Sequence, residues 1–156
     1  MPDPHAYCTD HRACVARGLA EIERLACRKG VRLTPVRRRV LEILLESHIA
    51  LGAYDILARL SAEGMPAQPP VAYRALDFLI RHGLAHRIER LNAFVACAHP
   101  EAAHAPAFLI CRKCRLVAEA VAGPSPLSRE AAELGFRLET SVVEAEGLCP
   151  SCAGEG

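Results

Sequence analysis

Four cysteines stand in two pairs of identical spacing, Cys111-Arg112-Lys113-Cys114 and Cys149-Pro150-Ser151-Cys152. Two residues between thiolates let both sulfurs reach one ion from a single tight turn. Two such turns supply four soft ligands, the donor set of a tetrahedral zinc ion with Zn–S of about 2.3 Å. With every position filled by protein, such an ion is structural and not catalytic. A redox CxxC, or two unrelated thiol turns, would be the blander readings; two pairs in one domain favour zinc. The stretch from Arg115 to Leu148 is longer than a simple zinc ribbon needs, and a site closed over it would clamp the C-terminus onto an earlier strand.

A second set is more scattered: His86, Cys97, His104 and Glu119. Each alone reads as a surface histidine, a small packed thiol or a solvated acid. Together they offer N, S, N and O donors, a combination suited to zinc. They fall on a hairpin, a linker and a second domain, so one ion held by all four would favour a single arrangement of those parts.

The elements that must position these residues follow from periodicity. Leu19, Ile22, Leu25 and Ala26 lie at helical spacing between Gly18 and Lys29, with Gly30 as the stop. The chain before Ala16 is polar and is expected to fray. Thr34-Pro35 reads as an N-cap and first-turn proline for a helix reaching Ser47, with Val36, Val40, Ile43 and Leu44 inward. A shorter helix spans Ala53 to Glu63. Another runs from Val71 to His82 after Pro69-Pro70, with Ala72, Ala75, Leu76, Leu79 and Ile80 on one face and Tyr73, Arg74, Asp77 and Arg81 on the other.

Leu84 to Glu89 and Ala93 to Cys97 alternate as strands around Arg90-Leu91-Asn92, a hairpin. Helices followed by a hairpin make a winged helix-turn-helix. The expected organisation is a flexible segment 1–17, a winged-helix domain 18–98, a linker 99–106 and a zinc-binding domain 107–156. In the last, strands at 107–111 and 115–120 precede a helix capped by Ser125-Pro126 and ending at Leu134, and then an alternating strand through Phe136, Leu138, Thr140 and Val142. The fold class is α+β, the second domain being a small α/β unit around the four-cysteine site.

Composition narrows the function. The chain has 156 residues, eight of them cysteine, no tryptophan and a formal net charge of +1. That near-neutral charge excludes a uniformly basic coating protein, and 4% aromatic residues argue against a base-stacking single-strand binder. The charge is nonetheless uneven: 14 basic and 10 acidic residues up to Ala98, then 5 and 8. Arg24, Arg28, Lys29, Arg32, Arg37, Arg38 and Arg39 follow one another with no intervening acid, either a phosphate-binding patch or a solvated helix face. No run approaches the roughly 18 apolar residues of a membrane helix, and no secretory leader is visible, so a cytoplasmic location is expected. There clustered thiols point to metal and not to disulfides. No nucleophile–base constellation suggests an enzyme.

These residues resemble the ferric uptake regulator family, and within it the zinc uptake regulator branch. Arg32-Leu33-Thr34-Pro35-Val36-Arg37 is similar to the family's opening of its second helix. Pro69-Pro70-Val71-Ala72-Tyr73-Arg74-Ala75-Leu76-Asp77-Phe78-Leu79 resembles its recognition helix, with Val71 where the family has threonine. Cys111-Arg112-Lys113-Cys114 and Gly147-Leu148-Cys149-Pro150-Ser151-Cys152 match its zinc knuckles. The likeness spans Gly18 to Cys152.

It implies a homodimeric, metal-activated repressor of zinc-uptake genes that binds an AT-rich inverted repeat of double-stranded DNA. It implies two zinc ions per chain: a structural one on Cys111, Cys114, Cys149 and Cys152, and a regulatory one on His86, Cys97, His104 and Glu119. It implies DNA contacts from Tyr73, Arg74, Tyr54 and Arg32, with Arg37 and Lys29 adding phosphate contacts. No membrane and no small organic substrate is expected. The iron branch's histidine-rich cluster is absent, but an iron- or manganese-responsive regulator is the alternative. A zinc-binding module without DNA binding is the other class. His5, Cys8, His11 and Cys14 lie outside the resemblance and could form an extra weak metal site.

Overall fold

The computed structural model describes residues 10–101, 105–122 and 126–154. The chain divides into two compact units, one ending at Glu101 and the other beginning at Ala102. No described helix is long and apolar enough to cross a membrane.

The first unit begins with α1 (His11–Arg28), α2 (Pro35–Leu45), α3 (Ala53–Ala62) and α4 (Pro69–Arg81). Helix α1 starts at His11, not Gly18, because the Asp10 side chain accepts from the Ala13 N–H and caps a first turn that the apolar pattern alone does not reveal. Residues 11–16, read from sequence as frayed, are therefore helical; residues 1–9 lie outside the described residues. Thr34 caps α2 through its Oγ1, 3.4 Å from the Arg37 N–H, with Pro35 in the first turn. Asp55 closes α3 by accepting from the Gly52 N–H at 3.0 Å. Gly83, at φ +70°, turns the chain out of α4 into the hairpin at a backbone angle side chains avoid.

Strands β1 (Ala85–Ile88) and β2 (Ala93–Ala96) pair antiparallel, with His86 opposite Val95. A short 3-10 turn at Glu89–Leu91 joins them. Asn92 takes a left-handed conformation and accepts from Arg87 at 3.0 Å. The four helices and hairpin enclose one core, in which Ile22, Val40, Leu41, Ile43, Ile56, Leu60, Leu76, Leu79 and Leu84 are essentially inaccessible. Burial at this level removes about 2 kcal/mol of apolar exposure per side chain.

The second unit contains β3 (Ala105–Cys111), β4 (Val117–Ala122), α5 (Pro126–Glu133), β5 (Val143–Gly147) and α6 (Pro150–Ala153). The sheet order is β4-β3-β5: β3 runs antiparallel to β4 and parallel to β5. The alternating stretch Phe136 to Val142 is not a strand; the ladder begins at Val143. Its register is fixed from the other end, where Cys111 aligns with Gly147 and the Arg112 N–H donates to the Gly147 carbonyl at 2.9 Å. Ser125, expected as the α5 cap, lies outside the described residues. Leu109, Leu127, Leu134, Phe136, Leu138, Val142, Val143 and Leu148 are all exposed in this unit.

Candidate metal and nucleic-acid sites

The central strand β3 ends on Cys111, and a tight turn carries Cys114 back beside it. Arg115 closes that turn in a left-handed conformation, φ 63°, its N–H on the Cys111 carbonyl at 2.9 Å. The parallel neighbour β5 delivers Cys149 to the same end, and α6 turns Cys152 inward over Pro150. All four Sγ atoms lie within 4.8 Å of one another, and Cys114 Sγ is 3.7 Å from Cys149 Sγ. Four sulfurs at about 2.3 Å from a central ion would be about 3.8 Å apart along each edge of the tetrahedron. The spacing is that of a metal cage, not of a disulfide, and all four thiols are free.

The thiols are electrostatically unequal. Backbone N–H groups of Cys114 and Cys149 point at Cys111 Sγ, the latter at 3.4 Å, and pull its thiol down to about 6. Hydrogen bonding to Cys149, burial and the neighbouring sulfurs push Cys152 up to about 12. Four thiolates cannot share so small a space without a compensating cation; a divalent ion supplies it.

In the first unit, His86 on β1 and Cys97 just past β2 are brought together by the hairpin register. Their ligand atoms lie within 4.8 Å of each other. Cys97 is 4% exposed and held by its N–H on the Leu84 carbonyl at 3.0 Å, and His86 Nε2 is buried. Soft sulfur and imidazole nitrogen at this spacing could supply two ligands to one metal ion. Glu119 sits half-buried on β4 of the second unit, opposite Phe108 in the ladder. His104 lies outside the described residues, as do His5 and Cys8.

The polar face of α4 is exposed as expected. Tyr73 is 44% accessible, Arg74 is exposed, and the inward residues Ala72, Ala75, Leu76 and Leu79 seat the helix on α2 and α3. Tyr54, in the first turn of α3, is 73% accessible. Lys29 and Arg32 are exposed between α1 and α2.

The uninterrupted run of basic residues does not survive folding as one patch. Arg38 meets Glu23 at 2.6 Å and also pairs with Glu42. Arg39 grips Glu63 with two nitrogens, at 2.6 and 2.7 Å, and reaches Glu46 at 2.8 Å and Glu42 at 3.0 Å. Those carboxylates, Glu63 foremost, raise the Arg39 pKa. Arg28 pairs with Glu101. Three of the seven cations are thus neutralised by acids far along the chain or on the next helical turn. Arg37 is different: its guanidinium lies 3.5 Å from the centre of the Phe78 ring and donates to the Arg32 carbonyl at 3.1 Å. Neither Phe78 nor the carboxylate set was singled out by the sequence; only Glu42, three and four residues after Arg39 and Arg38 on α2, carries a local signal.

No family model matches the chain. The zinc uptake regulation protein of Escherichia coli (strain K12) is 39% identical over 137 residues, covering 86% of this chain and 80% of that protein. A zinc uptake regulator solved in complex with zinc and DNA is 37% identical with a TM-score of 0.85, covering 90% of this chain and 96% of the other. The crystal structure of holo XcZur is 37% identical with a TM-score of 0.77, covering 87% and 96%. With the paired thiol knuckles, the winged helix-turn-helix and this level of identity over most of its length, the chain belongs to the ferric uptake regulator family, in its zinc uptake regulator branch.

Proposed function

We propose that this protein is a zinc-responsive, homodimeric, cytoplasmic transcriptional repressor of zinc-uptake genes. The observation that carries the reading is its likeness to a relative solved with both zinc and DNA, together with a four-thiol cage of zinc dimensions in its own second unit. It would hold two zinc ions per chain. Cys111, Cys114, Cys149 and Cys152 would hold the structural ion. His86, Cys97, His104 and Glu119 would hold the regulatory ion, a reading supported by the His86–Cys97 pair at the base of the wing. The buried Cys97 thiol favours zinc over a harder ion such as manganese.

Helix α4 would enter the major groove, with Arg74 reading a guanine edge or gripping phosphate and Tyr73 packing on a thymine methyl. Tyr54, Arg32, Arg37 and Lys29 would add backbone and minor-groove contacts. The exposed apolar residues of the second unit, Leu109 and Phe136 among them, support a dimer that covers them. A two-fold dimer calls for an inverted-repeat operator with half-sites about 34 Å apart or a multiple of that. Residues of the wing, linker and second unit sharing one ligand set would populate a single DNA-competent arrangement. No catalytic role is proposed, because both ligand sets would be filled by protein atoms.

The test is binding to an AT-rich inverted-repeat duplex across buffered free zinc, with zinc per chain measured alongside. Tight binding that appears as a second equivalent loads supports the sensor. Binding indifferent to zinc removes the switch, and no binding by a dimeric protein at any zinc level removes the repressor.

A further inference from the structure

The basic run between α1 and α2 contains one cation in an unusual setting. Arg28, Arg38 and Arg39 end on carboxylates, so their fields are cancelled within the fold. The partners of Arg37 are neutral: the Arg32 carbonyl at 3.1 Å and the face of Phe78 at 3.5 Å. An aromatic face attracts a guanidinium without neutralising it, so the positive charge remains available to an outside anion. One of five N–H donors is given to the carbonyl, and the planar group is held by stacking. The Arg37 backbone is also fixed, by the Thr34 cap.

Phe78 is itself immobilised. It packs half-buried against the core, and the His82 ring lies 4.5 Å away, tilted by 52°. It follows Arg74 by four residues on α4, hence on the same stripe and about 6 Å further along the axis. A cation seated on Phe78 therefore extends the line of charge begun by the exposed Arg74, although it originates on another helix.

We propose that Phe78 is a positioning residue for DNA binding: its ring holds the Arg37 guanidinium beside α4, so that the reading helix and the start of α2 present one rigid phosphate clamp. This rests on the DNA-binding reading above. Preorganisation is what the ring would contribute, since an arginine already held in place loses less freedom on meeting a phosphate.

The experiment uses the full-length, zinc-loaded protein and a labelled AT-rich inverted-repeat duplex, titrated over a range of KCl. The variants are Phe78→Leu, which keeps apolar bulk without a π face, Phe78→Tyr, which keeps the face, Arg37→Gln, Arg37→Lys, and the double variant Phe78→Leu/Arg37→Gln. Zinc content and thermal midpoint accompany each. Phe78→Leu is expected to weaken binding about tenfold and flatten the salt dependence, while Phe78→Tyr binds as wild type. The double variant should bind within about twofold of Arg37→Gln alone.

If Phe78→Leu does not fold, Arg37→Lys decides, because lysine retains the charge but not the planar stack: a loss supports the proposal and wild-type binding overturns it. Folded Phe78→Leu that binds as wild type, or a loss that adds fully to that of Arg37→Gln, overturns it too. A wild-type protein that binds no duplex at any zinc level removes the repressor reading and this proposal with it; wild-type binding with unaffected variants removes this proposal alone.

Discussion

Cys114 Sγ lies 3.7 Å from Cys149 Sγ, across 35 residues of sequence. Neither thiol reaches the other through local structure. The parallel pairing of β5 with β3 makes the meeting, and an ion on the four sulfurs would in turn hold β5 at the edge of the sheet.

The first prediction follows. Zinc bound by these thiols should resist a moderate chelator at neutral pH, and Cys149→Ser should lose it. The second unit of that variant should lose its near-native circular dichroism and its self-association. Metal analysis combined with size-exclusion chromatography checks this. A Cys149→Ser protein that stays folded and dimeric without zinc would show that the four-cysteine assignment is wrong.

Cys97→Ser should behave differently. The side chain is small and packed, so the winged-helix core should keep its thermal midpoint within a few degrees. Zinc-dependent DNA binding should weaken by about tenfold or more through loss of a proposed regulatory ligand. Near-wild-type response to buffered zinc would remove Cys97 from the switch. The same experiment with His86→Ala tests its partner on β1.

Arg74→Ala should lower operator affinity by about tenfold or more, the cost of one good base or phosphate contact. Zinc content and stability should not change, because the side chain is exposed and seats nothing in the core. Electrophoretic mobility shifts with matched zinc analysis would check both halves of the statement.

The ion network on α2 makes a pH prediction. The hydrogen bond from Arg39 lowers the Glu63 carboxyl pKa below its ordinary value of 4.5. A depressed folded-state pKa adds stability that is present above the unfolded value and lost as pH falls through the folded one. Glu63→Gln should therefore lower the thermal midpoint at pH 7, and the gap to wild type should narrow on acidification to about pH 3. Arg39→Met, which takes from Glu63 its hydrogen-bonding partner and leaves Glu42 to Arg38 and Glu46 to Arg59, should lower the thermal midpoint at neutral pH by at least as much as Glu63→Gln. A gap that does not change with pH would mean that the pair contributes no charge-dependent stability.

What could be read in advance tracks how local the cause is. The CxxC pairs, the Thr34-Pro35 start and the apolar stripe of α4 are legible because spacing and capping act within one or two turns. The approach of His86 to Cys97 was implicit in a hairpin whose turn could be placed. The pairing of Arg39 with Glu63 was not legible, because it crosses 24 residues and depends on how α2 meets α3. The sheet of the second unit misled for a related reason. Phe136 to Val142 alternates as a strand should, yet backbone pairing goes to Val143–Gly147, the segment whose end is tied beside Cys111. Phe136 and Leu138 remain exposed instead, and their alternation marks a surface and not a ladder.

The parallel β3–β5 ladder also imposes a schedule on biosynthesis. Among the described residues, the winged-helix core is built from positions up to Glu101, so it can collapse while the ribosome is still adding the rest. The metal cage cannot, because the Cys149 N–H that meets Cys111 Sγ is translated 38 residues later. In that interval Cys111 and Cys114 emerge as an incomplete, oxidisable dithiol. On the proposed function, the nascent chain would acquire its reading head first and its metal clasp second, and zinc starvation during translation would leave a folded first unit attached to an unclosed second one.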